Sequence, residues 1–163
     1  MTAIYVAYTA PINPPSASPV LTVDELWEGA IHKCHEPEKY IFPIAYCRVE
    51  RQDENGMTRV IKFREGFGDP NEEVVEEIVY SKPMKVDFAT PSTGALVENI
   101  VSYGPSLEET DLHLTFTFKW PFNGTAAEET AARAKYLQMA KGGVEGTIAA
   151  IRKEKLEKKE AQV

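Results

Sequence analysis

Cysteine and histidine are scarce in this chain, and their positions exclude most of the chemistry they usually carry. Cys34 and Cys47 fit no metal-ligand spacing. His32 and His35 sit near Glu28 and Glu36, and Glu28, His32 and Glu36 share a helical face, but no second coordinating segment follows. No metal is expected. Positive charge is also short: 18 Lys and Arg stand against 25 Asp and Glu, a net charge of -7. Phosphate backbones need a basic footprint, so no nucleic-acid partner is expected. No apolar run is long enough to span a bilayer, so no membrane partner is expected. The start of the chain lacks the charged and apolar regions of a secretory signal. Together these point to a cytoplasmic protein with free thiols. Glycine-rich phosphate loops are missing too. Gly66-Phe67-Gly68 is too short and runs into Asp69-Pro70 rather than a helix, which disfavours redox and phosphoryl transfer. No cofactor is expected. Asn123-Gly124-Thr125 has the form of a glycosylation sequon but reads as a turn.

What the chain does have is a clear change of period. A length of 163 residues with 43% apolar and 26% charged side chains fits one soluble domain, residues 1–163, able to bury a core. From Ala126 to Lys159, Leu137, Ala140, Val144, Ile148 and Ile151 recur at steps of three and four, one face of a long helix. Gly142, Gly143 and Gly146 within it imply a kink or room beside it, because each disfavours helix by about 1 kcal/mol. The Lys/Glu run from Arg152 to Glu160 reads as a solvated helix end. At the other end, Ile4, Val6 and Tyr8 alternate with Tyr5, Ala7 and Thr9 as a first strand. Four prolines between Pro11 and Pro19 make a stiff connector. Thr22 and Glu25 form a capping box, opening a helix with Trp27, Ala30, Ile31 and Cys34 on one side. Pro37 ends that helix and starts a short second one through Tyr40.

Between the helices the period is two. Strands are predicted at Ile44–Arg51, Met57–Glu65, Glu73–Tyr80, Lys85–Ala89, Ala95–Tyr103 and Asp111–Trp120, joined by short turns as an antiparallel meander. Leu112, Leu114, Phe116, Phe118 and Trp120 declare one inner face; Val86 and Phe88 declare another. Hairpin register carries the assignment outward. It places Val97, Asn99, Val101 and Tyr103 inside, then Val75, Glu77 and Val79, then Arg59, Ile61 and Phe63, then Ala45, Cys47 and Val49. Glu76 falls on the outer face with Arg48, Lys85 and Glu98. The inner face is then apolar apart from Arg59, Glu77 and Asn99.

The order of one strand, two short helices, six antiparallel strands and a long C-terminal helix resembles the α+β helix-grip fold of the START and birch-pollen-allergen (SRPBCC) superfamily. The segments Tyr8 to Asn13, Leu21 to Gly29, Val75 to Glu77, Pro83 to Val86, Leu114 to Trp120 and Val144 to Arg152, with the Arg59 strand, resemble its AtaL-like branch along nearly the whole chain. Lys119 departs from that branch, where an acid is usual. The resemblance implies a hydrophobic cavity between a curved sheet and the long helix, and a polyketide-like or polycyclic metabolite as ligand. It implies no shared catalytic residues.

The candidate catalytic pair is Arg59, to hold a carbonyl or enolate oxygen, and Glu77, to move a proton. The alternative is a buried ion pair that fixes the sheet. Candidate ligand contacts are Asn99, Cys47, Ile61, Phe63, Val79 and Phe88, with Val101, Tyr103, Leu114, Phe116, Phe118 and Trp27. Cys47 lacks an inward histidine to activate it, so a packed thiol is the simpler reading. Two functions remain open. One is cofactor-free cyclisation, isomerisation or dehydration of a small hydrophobic, oxygen-bearing metabolite; the other is a non-catalytic carrier for it.

Overall fold

Alternating apolar and polar residues can bury one face only as a sheet, and the long amphipathic segment must cover that face. The computed structural model describes residues 2–163 and shows this arrangement. In chain order it has β1 (Thr2–Pro11), α1 (Val23–His35), a 3-10 turn (Pro37–Lys39), β2 (Ile44–Asp53), β3 (Gly56–Phe63), β4 (Val74–Ser81), β5 (Lys85–Thr90), β6 (Ala95–Tyr103), β7 (Leu112–Phe122) and α2 (Ala126–Ala161). The second short helix expected from sequence is only that three-residue turn. All seven strands are antiparallel, in the order β1-β7-β6-β5-β4-β3-β2. β1 thus returns to close the meander, with Ile4 opposite Trp120.

Both helices begin with a capping box. Thr22 accepts from the Glu25 amide while Glu25 accepts from that of Thr22; Thr125 and Glu128 do the same for α2. At about 1.5 Å per residue, the 36 residues of α2 reach about 54 Å, long enough to cross the sheet. Its buried face is Ala140, Val144, Thr147, Ile148 and Ile151; Leu137, expected there, is exposed. The basic end is not merely solvated. Arg152 donates to the carbonyls of Ile12 and Pro19, and Lys155 donates to the Val20 carbonyl and pairs with Glu25 at 2.6 Å. These bonds tie the proline-rich connector to α2. Asn13 holds the same connector by exchanging bonds with the Leu21 backbone at 2.8 Å.

Gly143 and Gly29 mark close approach, not spare room. A Cβ on Gly143 would stand 3.3 Å from the Phe116 ring, and one on Gly29 would stand 2.4 Å from Ile151, where α1 crosses α2. Gly142 faces open space. Gly29→Ala is therefore expected to lose about 1–3 kcal/mol by overpacking. Gly142→Ala should gain up to about 1 kcal/mol from helix propensity alone. Urea denaturation of the two variants checks both signs; a loss in Gly142→Ala would show that α2 needs flexibility there.

Register departs from expectation on β4. Ser81 pairs with Lys85 across a three-residue loop, so Val86 faces Tyr80 rather than Val79. One extra loop residue turns the strand over. Val74, Glu76, Ile78 and Tyr80 point inward, while Val75, Glu77 and Val79 are exposed on the outer face. β3 pairs Arg59 with Glu76, a second one-residue difference, and the two cancel. Arg59 and Ile61 therefore face inward as expected. Ala45 falls in one of two bulges of β2 and is exposed.

Candidate functional site

Leu26, Ala30 and Lys33 follow each other at steps of four and three, so they share the face of α1 that lies on the sheet. The first two are apolar. The third carries an amine into the interior, where Lys33 is 5% exposed. Its Nζ lies 4.8 Å from the centroid of the Phe88 ring and 4.5 Å from that of Phe116, and it donates to Asn99 Oδ1. An ammonium has only donors, which requires the amide to present its oxygen. The Asn99 Nδ2 donor then points elsewhere, and among the described residues it has no partner. Thr147 Oγ1, contributed by α2, is likewise buried without a partner. Asn99 and Thr147 are only 7% and 3% exposed, so bulk solvent does not readily reach them. Orphaned buried polar atoms are uncommon and call for a reason.

That reason is a shared cavity. Lys33, Asn99 and Thr147 all line a void of about 30 Å³ between α1, the sheet and α2. Apart from Lys85, its remaining walls are apolar, among them Leu26, Trp27, Val101, Leu114, Phe116 and Ile151. Pro83 and Met84, from the β4–β5 loop, also border it. This volume takes one or two waters or a single functional group, not a ring system. Burial pushes the Lys33 amine down from its ordinary 10.5 to about 8, and the nearby Arg59 guanidinium acts in the same direction. An amine so placed can donate a proton, accept one, or act as a nucleophile near neutral pH.

Arg59 is inside, as expected, but engaged in another task. It pairs with Glu76 at 2.7 Å and donates through Nη1 to the carbonyls of Lys33 and Cys34, at 3.1 and 2.8 Å. The residue four after Lys33 is Pro37, which has no N–H to close the helix bond. The guanidinium fills that vacancy and meets the negative end of α1. Glu77, the expected proton-transfer partner, points to solvent on the outer face, and Glu76 takes its place beside Arg59.

The other expected contacts divide. Asn99, Val101, Leu114, Phe116 and Trp27 line the void, and Phe88 lies under the Lys33 and Arg59 cations. Phe118 lies away from it, stacked on Trp120 at 4.5 Å. Val79 is outside, replaced by Tyr80, whose ring meets Trp27 edge-on at 6.0 Å. Tyr103 has the expected register but stands exposed at the end of β6. Ile61 is buried on β3 between its strand partners Cys47 and Val74, and Phe63 packs against Gly68; neither reaches the void. Cys47 is half-buried with its sulfur 4.0 Å from the Cys34 carbonyl, and burial raises its pKa. Burial likewise raises Cys34 to about 11, which makes it an inert thiol. His32 contacts Glu154, and His35 contacts Gln52. Among the described residues no group of three His, Cys, Asp or Glu could hold a metal ion, and no helix is long and apolar enough to cross a membrane. Lys33 and Thr147 were not expected at the site. The signal for Lys33 was its step from Ala30, which breaks an otherwise apolar helical face.

The family model described as AtaL, acetylaranotin biosynthesis cluster protein L, matches residues 6–158. No curated protein matches the chain. Among solved structures it is similar to the di-domain ARO/CYC StfQ from the steffimycin biosynthetic pathway, with a TM-score of 0.68, 11% identity, and coverage of 99% of this chain and 53% of that one. It is also similar to the Zhui aromatase/cyclase from Streptomyces sp. R1128, with a TM-score of 0.62, 10% identity and 93% of each chain covered. A third is the di-domain ARO/CYC BexL from the BE-7585A biosynthetic pathway, with a TM-score of 0.63, 9% identity, and 93% and 49% covered. The chain spans about half the length of the two di-domain proteins. At such identities the likeness is one of fold.

Proposed function

This chain belongs to the AtaL family, and on that premise we propose that it binds a small apolar metabolite carrying a carbonyl oxygen and promotes its cyclisation, isomerisation or dehydration without a cofactor. One observation carries the reading: a buried amine, a buried amide N–H and a buried hydroxyl line a single, mostly apolar void, and the last two lack partners among the described residues. A carbonyl oxygen placed there accepts from Asn99 Nδ2 and Thr147 Oγ1. Both donors strengthen as negative charge develops on that oxygen, and low polarity around them magnifies the gain. Lys33 supplies the proton movement that such reactions need: its neutral form removes a proton beside the carbonyl, and its ammonium returns one to a departing hydroxyl. The oxygen-holding role expected of Arg59 thus passes to Asn99 and Thr147, and the proton-moving role expected of Glu77 to Lys33. The fold shared with aromatase/cyclases and the biosynthetic-cluster description of the family support this class of reaction.

The void receives the carbonyl end only. The apolar body of the ligand takes the space that Met84 and Pro83 occupy in the β4–β5 loop, and Met84 has the flexible side chain suited to moving aside. Titration with an apolar fluorescent ketone, a 2-propionyl-naphthalene, tests the reading. Saturable binding that tightens in Met84→Ala and weakens in Asn99→Leu is the expected result. If neither the wild type nor Met84→Ala binds the ketone, the reading falls. Binding with no acceleration of any proton transfer returns the protein to the carrier alternative.

A further inference from the structure

We propose that Lys33 is a nucleophile: it attacks the ligand's carbonyl carbon and holds the substrate as an imine, which makes the substrate class an aldehyde or an unhindered ketone. This rests on the binding reading above and adds a covalent bond to it. Four features of the site argue for it. Nζ borders the void, and its acceptor is the neutral Asn99 amide, so no carboxylate bonds the amine directly; the nearby Glu76 charge, which favours the ammonium, is itself paired with Arg59. The Phe88 and Phe116 rings that flank the ammonium would flank an iminium equally well, because both species carry one positive charge. Thr147 Oγ1 and Asn99 Nδ2 are placed to bond the oxygen during addition. A void of about 30 Å³ has room for the carbonyl group and then for the water that replaces its oxygen. Burial adds the last requirement, a usable fraction of neutral amine: with the amine pushed to about 8, about a tenth is neutral at pH 7.

The step balances without a further reagent. The neutral amine's lone pair forms the C–N bond as the C=O π pair moves to oxygen. Proton transfer from nitrogen to that oxygen gives a carbinolamine. The C–O bond then breaks, and the oxygen leaves as water with the two hydrogens that the amine brought. Protonation of the imine gives an iminium, which draws electrons from the adjacent carbon and acidifies its C–H bonds. The resulting enamine can attack a second carbonyl in the same molecule, and hydrolysis returns the amine. Sequestration between two rings also explains why a lysine stands where α1 otherwise buries apolar side chains.

The test is reductive trapping on the intact chain with propanal and sodium cyanoborohydride, read by peptide mass spectrometry between pH 6.5 and 9. Lys33 should be alkylated at least tenfold faster at pH 7 than the exposed Lys82 and Lys153, and its rate should level off near pH 8 while theirs keeps rising. Lys33→Met serves as the blank that assigns the peptide. If Lys33 stays unmodified while surface lysines react, the imine is overturned. The fluorescent ketone separates the two ideas. Binding without trapping leaves the non-covalent reading intact; absence of both removes both.

Discussion

Arg59→Met is expected to lose about 3–5 kcal/mol of folding stability, the usual cost of stranding one partner of a buried ion pair. The Glu76 carboxylate, 13% exposed, would keep its charge with no cation beside it. The Lys33 and Cys34 carbonyls would also lose their donor at the end of α1. Arg59→Met with Glu76→Met should recover part of that loss, since removing both charges restores an apolar contact, but not the part due to the two carbonyls. Glu77→Gln should change stability by no more than about 0.5 kcal/mol, as expected for an exposed strand position. Guanidinium denaturation of the four proteins decides the matter. A double variant no better than Arg59→Met would show that capping α1, not the ion pair, is what Arg59 supplies. A large effect of Glu77→Gln would contradict the register described here.

The consequence reaches the site, because Arg59 holds the backbone of the very residue whose side chain enters the void. Arg59 is in this sense a positioning residue for Lys33. The sequence pattern made much of this legible. Period-two alternation located every strand from β2 to β7, and the Thr22 and Glu25 pair located the start of α1. Leu112, Leu114 and Phe116 are buried as their alternation predicts, and Asn99 was found inside because β6 and β7 are joined in the expected register. β4 was misread because parity depends on loop length, and a three-residue loop at Lys82–Met84 cannot be distinguished from a two-residue turn by composition. Its neighbours Glu76 and Glu77 are chemically alike, so nothing local corrected the error. Lys33 was missed for a different reason. A lysine among Glu28, His32 and Glu36 reads as part of a solvated face, and only the position of α1 over Phe88 and Phe116 shows that the three-residue step from Ala30 wins. Thr147 was hidden among the small residues of α2, where hydroxyl burial depends on what stands opposite.

Lys33→Met is expected to slow proton exchange at the carbon beside a bound ketone by about 10²–10⁴-fold, the contribution of a positioned acid or base. The measurement is deuterium uptake by 4-phenylbutan-2-one in D₂O, followed by NMR, which needs no knowledge of the natural substrate. Methionine matches the length and apolar stem of lysine, so the Phe88 and Phe116 packing persists while the amine is lost. Stability supplies the control. The folded-state pKa of Lys33 lies at about 8, below its ordinary 10.5. Between those values the unfolded chain binds the extra proton, so the stability of the wild type relative to Lys33→Met must rise as pH increases from 8 toward 10. Below pH 8 both states hold the proton, and the cost of burying the ammonium is present in full. A structural lysine would show that pH dependence with no change in exchange rate. A lysine that does chemistry shows both, and its exchange rate climbs toward pH 8 as the neutral amine accumulates. Equal deuterium uptake by the wild type and a folded, ketone-binding Lys33→Met would make the amine a packing element and give the carrier function precedence.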